Sequence, residues 1–141
     1  MPKSRIHIGT SGWHYDAWVG AFYPEDLASD AWLAYYRHHF HTVQVNNTFY
    51  QLPTTTTLEN WRDTVAGDFV FAVKGSRYIT HRKRLLDPEE TVPNFLDRVD
   101  ALGARLGPVL FQLPPNWHFN GPRLAAFLET LPPGYRYAFE L

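Results

Sequence analysis

At 141 residues, with 45% hydrophobic and 19% charged side chains, the chain has a core-forming composition, outside the range of disordered polymers. A formal net charge of -1 excludes a global attraction to nucleic acid or anionic lipid, so any such preference must come from a local patch. Cysteine is absent, which removes disulfides, thiolate nucleophiles and Cys-ligated metals. No apolar run approaches the roughly 18 residues of a membrane span, and no secretory h-region is readable, so the expected location is cytoplasmic, away from membranes.

In chain order, short apolar runs alternate with longer amphipathic stretches, the pattern of parallel strands joined by crossover helices. A strand is predicted at about Arg5-Gly9, with His7 pointing to the interior. The turn Gly9-Thr10-Ser11-Gly12 after it could cradle an anion on backbone N–H groups or simply be tight. Ser29 or Asp30 can cap a helix over about Asp30-His39. The His38-His39-Phe40-His41 cluster reads as cationic side chains at that helix's end, and no metal site is predicted. After a strand at Thr42-Asn46, Thr56 and Glu59 form a capping-box pattern for a helix over Leu58-Val65. A strand at Phe69-Lys74 precedes a helix over Glu90-Ala104, with Pro93 near its start. A strand at Pro108-Gln112 and a helix over Pro122-Thr130, opened by Gly121-Pro122, lead to a last strand at Tyr137-Leu141.

Strands recur every 25 to 35 residues or so, about one βα unit, and eight units need about 250 residues. The expected fold is therefore α/β, a partial TIM-type barrel of about four and a half βα units. Residues 1–141 are expected to form one incomplete domain, the N-terminal portion of a longer one. Such a truncated fragment is expected to self-associate through unpaired strand edges, and a monomer that melts cooperatively would count against this.

Parity along the strands sorts their side chains. Val43, Val45, Phe71, Val73, Val109, Phe111, Tyr137 and Phe139 would face the helices. Gln44 and Asn46, Ala72 and Lys74, Leu110 and Gln112, and Ala138 and Glu140 would face inward, with polar residues at the downstream ends where such barrels build their sites. A doubly wound sheet would make both parities apolar. Alternate strands share a layer in a barrel, so Lys74 is expected to meet Glu140, and Asn46 to share a layer with Gln112.

Several words in order, Ile8-Gly9-Thr10-Ser11-Gly12-Trp13, Trp18 with Gly20 and Phe22-Tyr23-Pro24, Val45-Asn46 through Thr48-Phe49-Tyr50 and Pro53, Phe71-Ala72-Val73-Lys74, Thr80-His81, and Gly107-Pro108 through Pro114-Pro115, are together specific. In order and spacing the chain resembles the YecE-like family, domain of unknown function 72. The resemblance implies a TIM-type barrel of bacterial and archaeal cytoplasm, in a family without an established activity. Two departures stand out: the family usually has glutamate where Gln44 stands, and an arginine and a Ser-Trp pair that normally follow the strand ending at Glu140 are absent.

Lys74 at a strand end, with Glu140 as partner, is the candidate catalytic centre; the same two charges could also form a structural ion pair. The stretch Lys74–Arg84 holds two lysines, three arginines, one histidine and no acid. Within it Arg77 and His81 are the candidate phosphate grips, unless the stretch is only a solvated face. Trp13 and Tyr50 would line the pocket, or else clamp their loops to the barrel, and Asn46 and Gln112 would orient a ligand's hydroxyl or carbonyl. The expected ligand is phosphate-bearing, a small molecule or a nucleic acid, with no cofactor specified and catalysis left open. The alternatives are a non-catalytic nucleic-acid-binding module, or a sugar-directed isomerase or hydrolase with further carboxylates from later strands.

Overall fold

Alternating bulky and small or polar residues decide which side of each strand can be buried, and this alternation organises the sheet in the computed structural model, which describes residues 6–141. Five strands, β1 (Gly9–Ser11), β2 (Thr42–Val45), β3 (Val70–Lys74), β4 (Leu106–Gln112) and β5 (Tyr137–Glu140), pair in parallel in the order β1-β2-β3-β4-β5. The connections carry α1 (Trp32–Tyr36), the single turn α2 (Asn47–Tyr50), α3 (Thr55–Thr64), α4 (Pro88–Val99) and α5 (Gly121–Thr130). Strands that pair in the order of the chain belong to a barrel winding, since a doubly wound sheet reverses its order at a switch point. The expected partial TIM-type architecture is thus the observed one. No described helix is long and apolar enough to cross a membrane.

The parity expectation holds strand by strand. Val43, Val45, Phe71, Val73, Val109 and Phe111 are buried, and they join Leu58, Val92, Phe95, Leu96, Val99 and Phe127 from the helices in one core. Tyr137 and Phe139 pack against this core half-buried, because β5 has a strand partner on one side only among the described residues. On the other face Gln44, Ala72, Lys74, Leu110 and Gln112 stay partly accessible, and Ala138 and Glu140 are exposed.

Element ends differ from expectation where a partner or a cap decides them. The first strand begins at Gly9, because β2 offers its first partner there, Gly9 opposite Thr42. The predicted start at Arg5 lies outside the described residues; Ile6 and Ile8 are exposed, and so is His7, which is not an interior residue. Gly9 is obligatory at this position, since a Cβ would stand 2.0 Å from the Thr42 carbonyl oxygen. Helix α1 is shorter than predicted: Ser29 and Asp30 lie in a 3-10 turn, Ser29–Ala31, and no side chain caps the helix. Thr54, not Thr56, caps α3, accepting from the Thr57 N–H at 3.2 Å. In β4 the register slips between Phe71 and Val73, whose partners are Leu106 and Val109, so Gly107-Pro108 carries an extra residue. Proline, with no N–H to donate, suits such a bulge. The slip restores matching parity and sets Lys74 opposite Leu110.

One hydroxyl ties β1 to the rest. Tyr36 is fully buried, and its OH donates to the Thr42 carbonyl at 2.8 Å while accepting from the Thr10 N–H at 3.0 Å. Replacing Tyr36→Phe leaves that N–H and carbonyl without this partner, so thermal or denaturant melting should show a loss of about 1–3 kcal/mol; an unchanged melting curve would mean the hydroxyl does not hold β1.

Candidate functional site

The downstream ends of β2 and β3 are joined by a buried threonine. Thr48, in α2, donates through Oγ1 to the Lys74 carbonyl at 2.6 Å, which pins the α2 turn against the end of β3. That turn delivers Phe49 and Tyr50 to the rim. Phe49 is buried under Lys74, whose Nζ lies 4.2 Å from the ring centroid. Tyr50 is exposed, with the Arg77 guanidinium carbon 6.0 Å from its centroid, within the reach of a cation–π contact.

His81 sits in a short π-helical turn, Tyr78–Arg82, of a kind that recurs at functional sites. Its ring meets Phe49 edge-on at 5.0 Å, and its Nδ1 lies 2.8 Å from the hydroxyl of the fully buried Thr80. After the turn the backbone enters the left-handed region at Arg84 (φ 48) and Leu85 (φ 68), which reverses the chain, and Arg84 donates to the side-chain Oδ1 of Asn116 at 3.4 Å. Burial pushes the His81 pKa down, and the nearby charges of Lys74, Arg84 and Arg77 push it further in the same direction. Among the described residues no carboxylate lies within ion-pair distance of any of these three cations.

The expected residue pairs are rearranged. Lys74 and Glu140 form no ion pair; Lys74 rests on Phe49, and Glu140 pairs in the ladder with Gln112. Those two share with His81 and Trp117 the lining of a cavity of about 290 Å³, which puts Glu140 and His81 on one cavity. Asn46 does not join Gln112. Gln44 donates to Asn46 Oδ1 at 2.8 Å and Asn46 donates to Ser11 Oγ at 2.6 Å, a relay that needs the amide donor which a glutamate at position 44 would lack. Trp13 is a core residue, packed edge-on against Trp61 at 4.9 Å and tilted against Phe71 at 6.3 Å, although part of it lines a cavity with Asn46.

The predicted turn Gly9-Thr10-Ser11-Gly12 is not a turn: Gly9–Ser11 form β1 itself, and it offers no anion cradle at Thr10 and Gly12, because the Thr10 N–H goes to Tyr36 and the Gly12 N–H to the Gln44 carbonyl at 2.9 Å. In the histidine cluster, His39 contacts the Tyr35 carbonyl at 3.2 Å and His41 faces Asp68 at 3.4 Å. No group of three metal-ligating side chains occurs among the described residues. Sequence reasoning missed Thr48, Thr80 and Arg84 as positioning groups, and Asn47, Asn60 and Trp61 as cavity walls. Thr48 and Thr80 carried one signal, a small polar residue beside an aromatic or a histidine in a loop at a strand end.

A row of consecutive parallel strands with polar groups along its downstream rim defines a TIM-type β/α protein. The profile described as "Protein of unknown function DUF72" matches residues 7–141, and the chain belongs to that family. It is 33% identical over 140 residues to the UPF0759 protein YecE of Escherichia coli, a match covering 96% of this chain and 48% of the relative. Against the UPF0759 protein YunF of Bacillus subtilis the identity is 29% over 117 residues, covering 78% of this chain and 40% of that one. A crystal structure of a DUF72 family protein from Thermotoga maritima superposes with a TM-score of 0.78 at 30% identity, covering 94% of this chain and 55% of that one. The chain thus spans about half the length of the relatives it matches.

The His81 environment has a pH signature. Because its pKa is lowered in the folded state, the unfolded chain takes up the proton first as pH falls from neutral through the ordinary histidine range, and stability is lost there. His81→Gln should therefore lose less stability than the parent between neutral and mildly acidic pH in denaturant melts. Parallel losses in the two proteins would show that His81 is not the group responsible.

Proposed function

We propose that the downstream rim binds a phosphate-bearing ligand, with Arg77 and Lys74 supplying the charge and His81 a donor that gains its proton as the anion arrives. The observation that carries this reading is the gathering of Lys74, Arg77 and Arg84 about one histidine, with no carboxylate within ion-pair distance of the three cations among the described residues. Uncompensated cations at a partly desolvated rim repel one another, and a phosphate relieves that repulsion with charge-assisted hydrogen bonds. Tyr50, exposed beside Arg77, offers a stacking face to whatever the phosphate is attached to. Gln112 would orient a hydroxyl or carbonyl, and Asn46 continues that polar lining toward Ser11. Were the ligand turned over, proton transfer would fall to His81 and Glu140, which face one cavity, with Lys74 stabilising charge.

A nucleic acid strand and a phosphorylated small molecule share this chemistry, and salt dependence separates them. Binding of a single-stranded oligonucleotide would fall with a log-log slope of about -0.7 per phosphate neutralised, whereas a monophosphate neutralises one.

Titration of inorganic phosphate into the parent chain and Arg77→Ala tests the assignment. Arg77 is exposed, so the variant should melt like the parent while its phosphate affinity drops about tenfold, the scale of one lost charge-assisted hydrogen bond. Affinity of the parent for sulfate, whose charge is constant through the histidine range, should also rise as pH falls, since the bound anion raises the His81 pKa. Equal phosphate affinity in the two proteins removes Arg77 from the site.

A further inference from the structure

Beside the cationic rim lies a trough of different chemical character. Two cavities, of about 570 Å³ and about 560 Å³, share Asn46, Asn47, Thr57 and Trp61 as common walls. One begins at Tyr50 and runs between α2 and the start of α3. The other continues between α3 and the loop after β1 as far as Asp30. Together they form a path that starts next to Arg77, through its contact with Tyr50, and leads away from the charge.

The walls carry no lysine or arginine, and Asp30 is their one carboxylate. Apart from the His14 imidazole, their polar groups are mainly side-chain amides and hydroxyls. The amides of Asn47 and Asn60 make no hydrogen bond among the described residues, in contrast to Asn46, which is held in the relay to Ser11. Between these groups stand the rings of Trp61, half-buried, and of Trp13 behind it, at 87° to each other. Each amide both donates and accepts, which matches the hydroxyls of a sugar, since these also do both. A flat indole offers an apolar face to the C–H side of such a ring. Cavities of several hundred Å³ are of small-ligand size.

We propose that the trough holds the hydroxyl-rich ring of a sugar phosphate, with Asn47 and Asn60 on its hydroxyls, Trp61 beneath it, and its phosphate held at Arg77, Lys74 and His81. This rests on the phosphate reading above and names the class of molecule that carries the phosphate. The position of the neutral walls accounts for the sequence of chemistries along the path. Charge is found where a phosphate would sit, and groups able to donate and accept are found where hydroxyls would follow.

Calorimetric titration of the parent chain with inorganic phosphate, ribose, glucose, ribose monophosphate, glucose monophosphate and adenosine monophosphate tests the proposal, with tryptophan fluorescence as a second readout of the Trp13–Trp61 wall. The sugar monophosphates should bind about tenfold or more tighter than inorganic phosphate. The double variant Asn47→Ala/Asn60→Ala, with both sites exposed, should keep its melting temperature and its affinity for inorganic phosphate, and lose that tenfold advantage. Arg77→Ala should weaken phosphate and sugar phosphates alike. Sugar phosphates that bind no better than phosphate, in a parent that binds phosphate, overturn the trough assignment and leave the phosphate reading standing. Neutral sugars bound in the absence of any phosphate affinity overturn the phosphate reading and with it the sugar phosphate, leaving a neutral-sugar trough. Adenosine monophosphate bound much more tightly than ribose monophosphate overturns the free sugar phosphate in favour of a nucleotide, and no binding of any probe overturns both.

Discussion

The burial of one parity of side chains along five parallel strands is the constraint on which the rest of this molecule depends. Val43, Val45, Phe71, Val73, Val109 and Phe111 are all at or near zero exposure, and each such side chain taken from water contributes about 1.5–3 kcal/mol. A one-residue slip of any strand would turn this row outward, so the register is strongly held. The bulge at Gly107-Pro108 is where the chain corrects its own count. It absorbs one residue so that β4 presents Val109 and Phe111 to the helices with the same parity as β3. With one face committed to the core, the other is free to carry Gln44, Lys74, Gln112 and Glu140.

The candidate site is built on that frame by loops that hold fixed positions because buried hydroxyls pin them. Thr48 fastens the α2 turn to the end of β3, and Thr80 contacts the His81 ring from within the π-helical turn. The first contact sets Phe49 and Tyr50 beside Lys74 and Arg77, and among the described residues no carboxylate lies within ion-pair distance of Lys74, Arg77 or Arg84. The electrostatic result is a histidine held below its usual pKa by burial and by like charge. Such a group registers the arrival of an anion by taking up a proton, which couples binding to pH. Next to it, the amide and indole walls of the trough hold no lysine or arginine, and their ionisable side chains besides the tyrosines are Asp30 and His14. The proposed binding and the proposed ligand class both follow from this division between charged and neutral surfaces.

Much of this was legible in the amino-acid order, and the particular failures show why the remainder was not. The run from Lys74 to Arg84 announced a local basic patch, and Arg77 and His81 do lie at the rim with Lys74. Layering arguments, however, paired Lys74 with Glu140. The ammonium instead rests on Phe49, a ring brought there by a one-turn helix too short to leave a periodic signal. Asn46, expected to share a layer with Gln112, makes its hydrogen bonds along its own rim to Gln44 and Ser11, since neighbouring strand ends are closer than alternate ones. Trp13 looked like a pocket residue and is mostly core, because a large aromatic finds more apolar area under α3 than at the surface.

By itself the sequence determined the alternation of strands and helices, the face of each strand that is buried, the winding order and the family. All of these follow from periodicities and short words, and from their order and spacing along the chain. Only the tertiary structure decided which strand-end residues meet, that Glu140 lines a cavity with His81 and not with Lys74, and that a trough without lysine or arginine adjoins a cationic rim. Those outcomes depend on distances between segments remote in sequence. They are set by the bulge, the turns and the left-handed residues Arg84 and Leu85, where backbone geometry is chosen by contacts that no local pattern encodes.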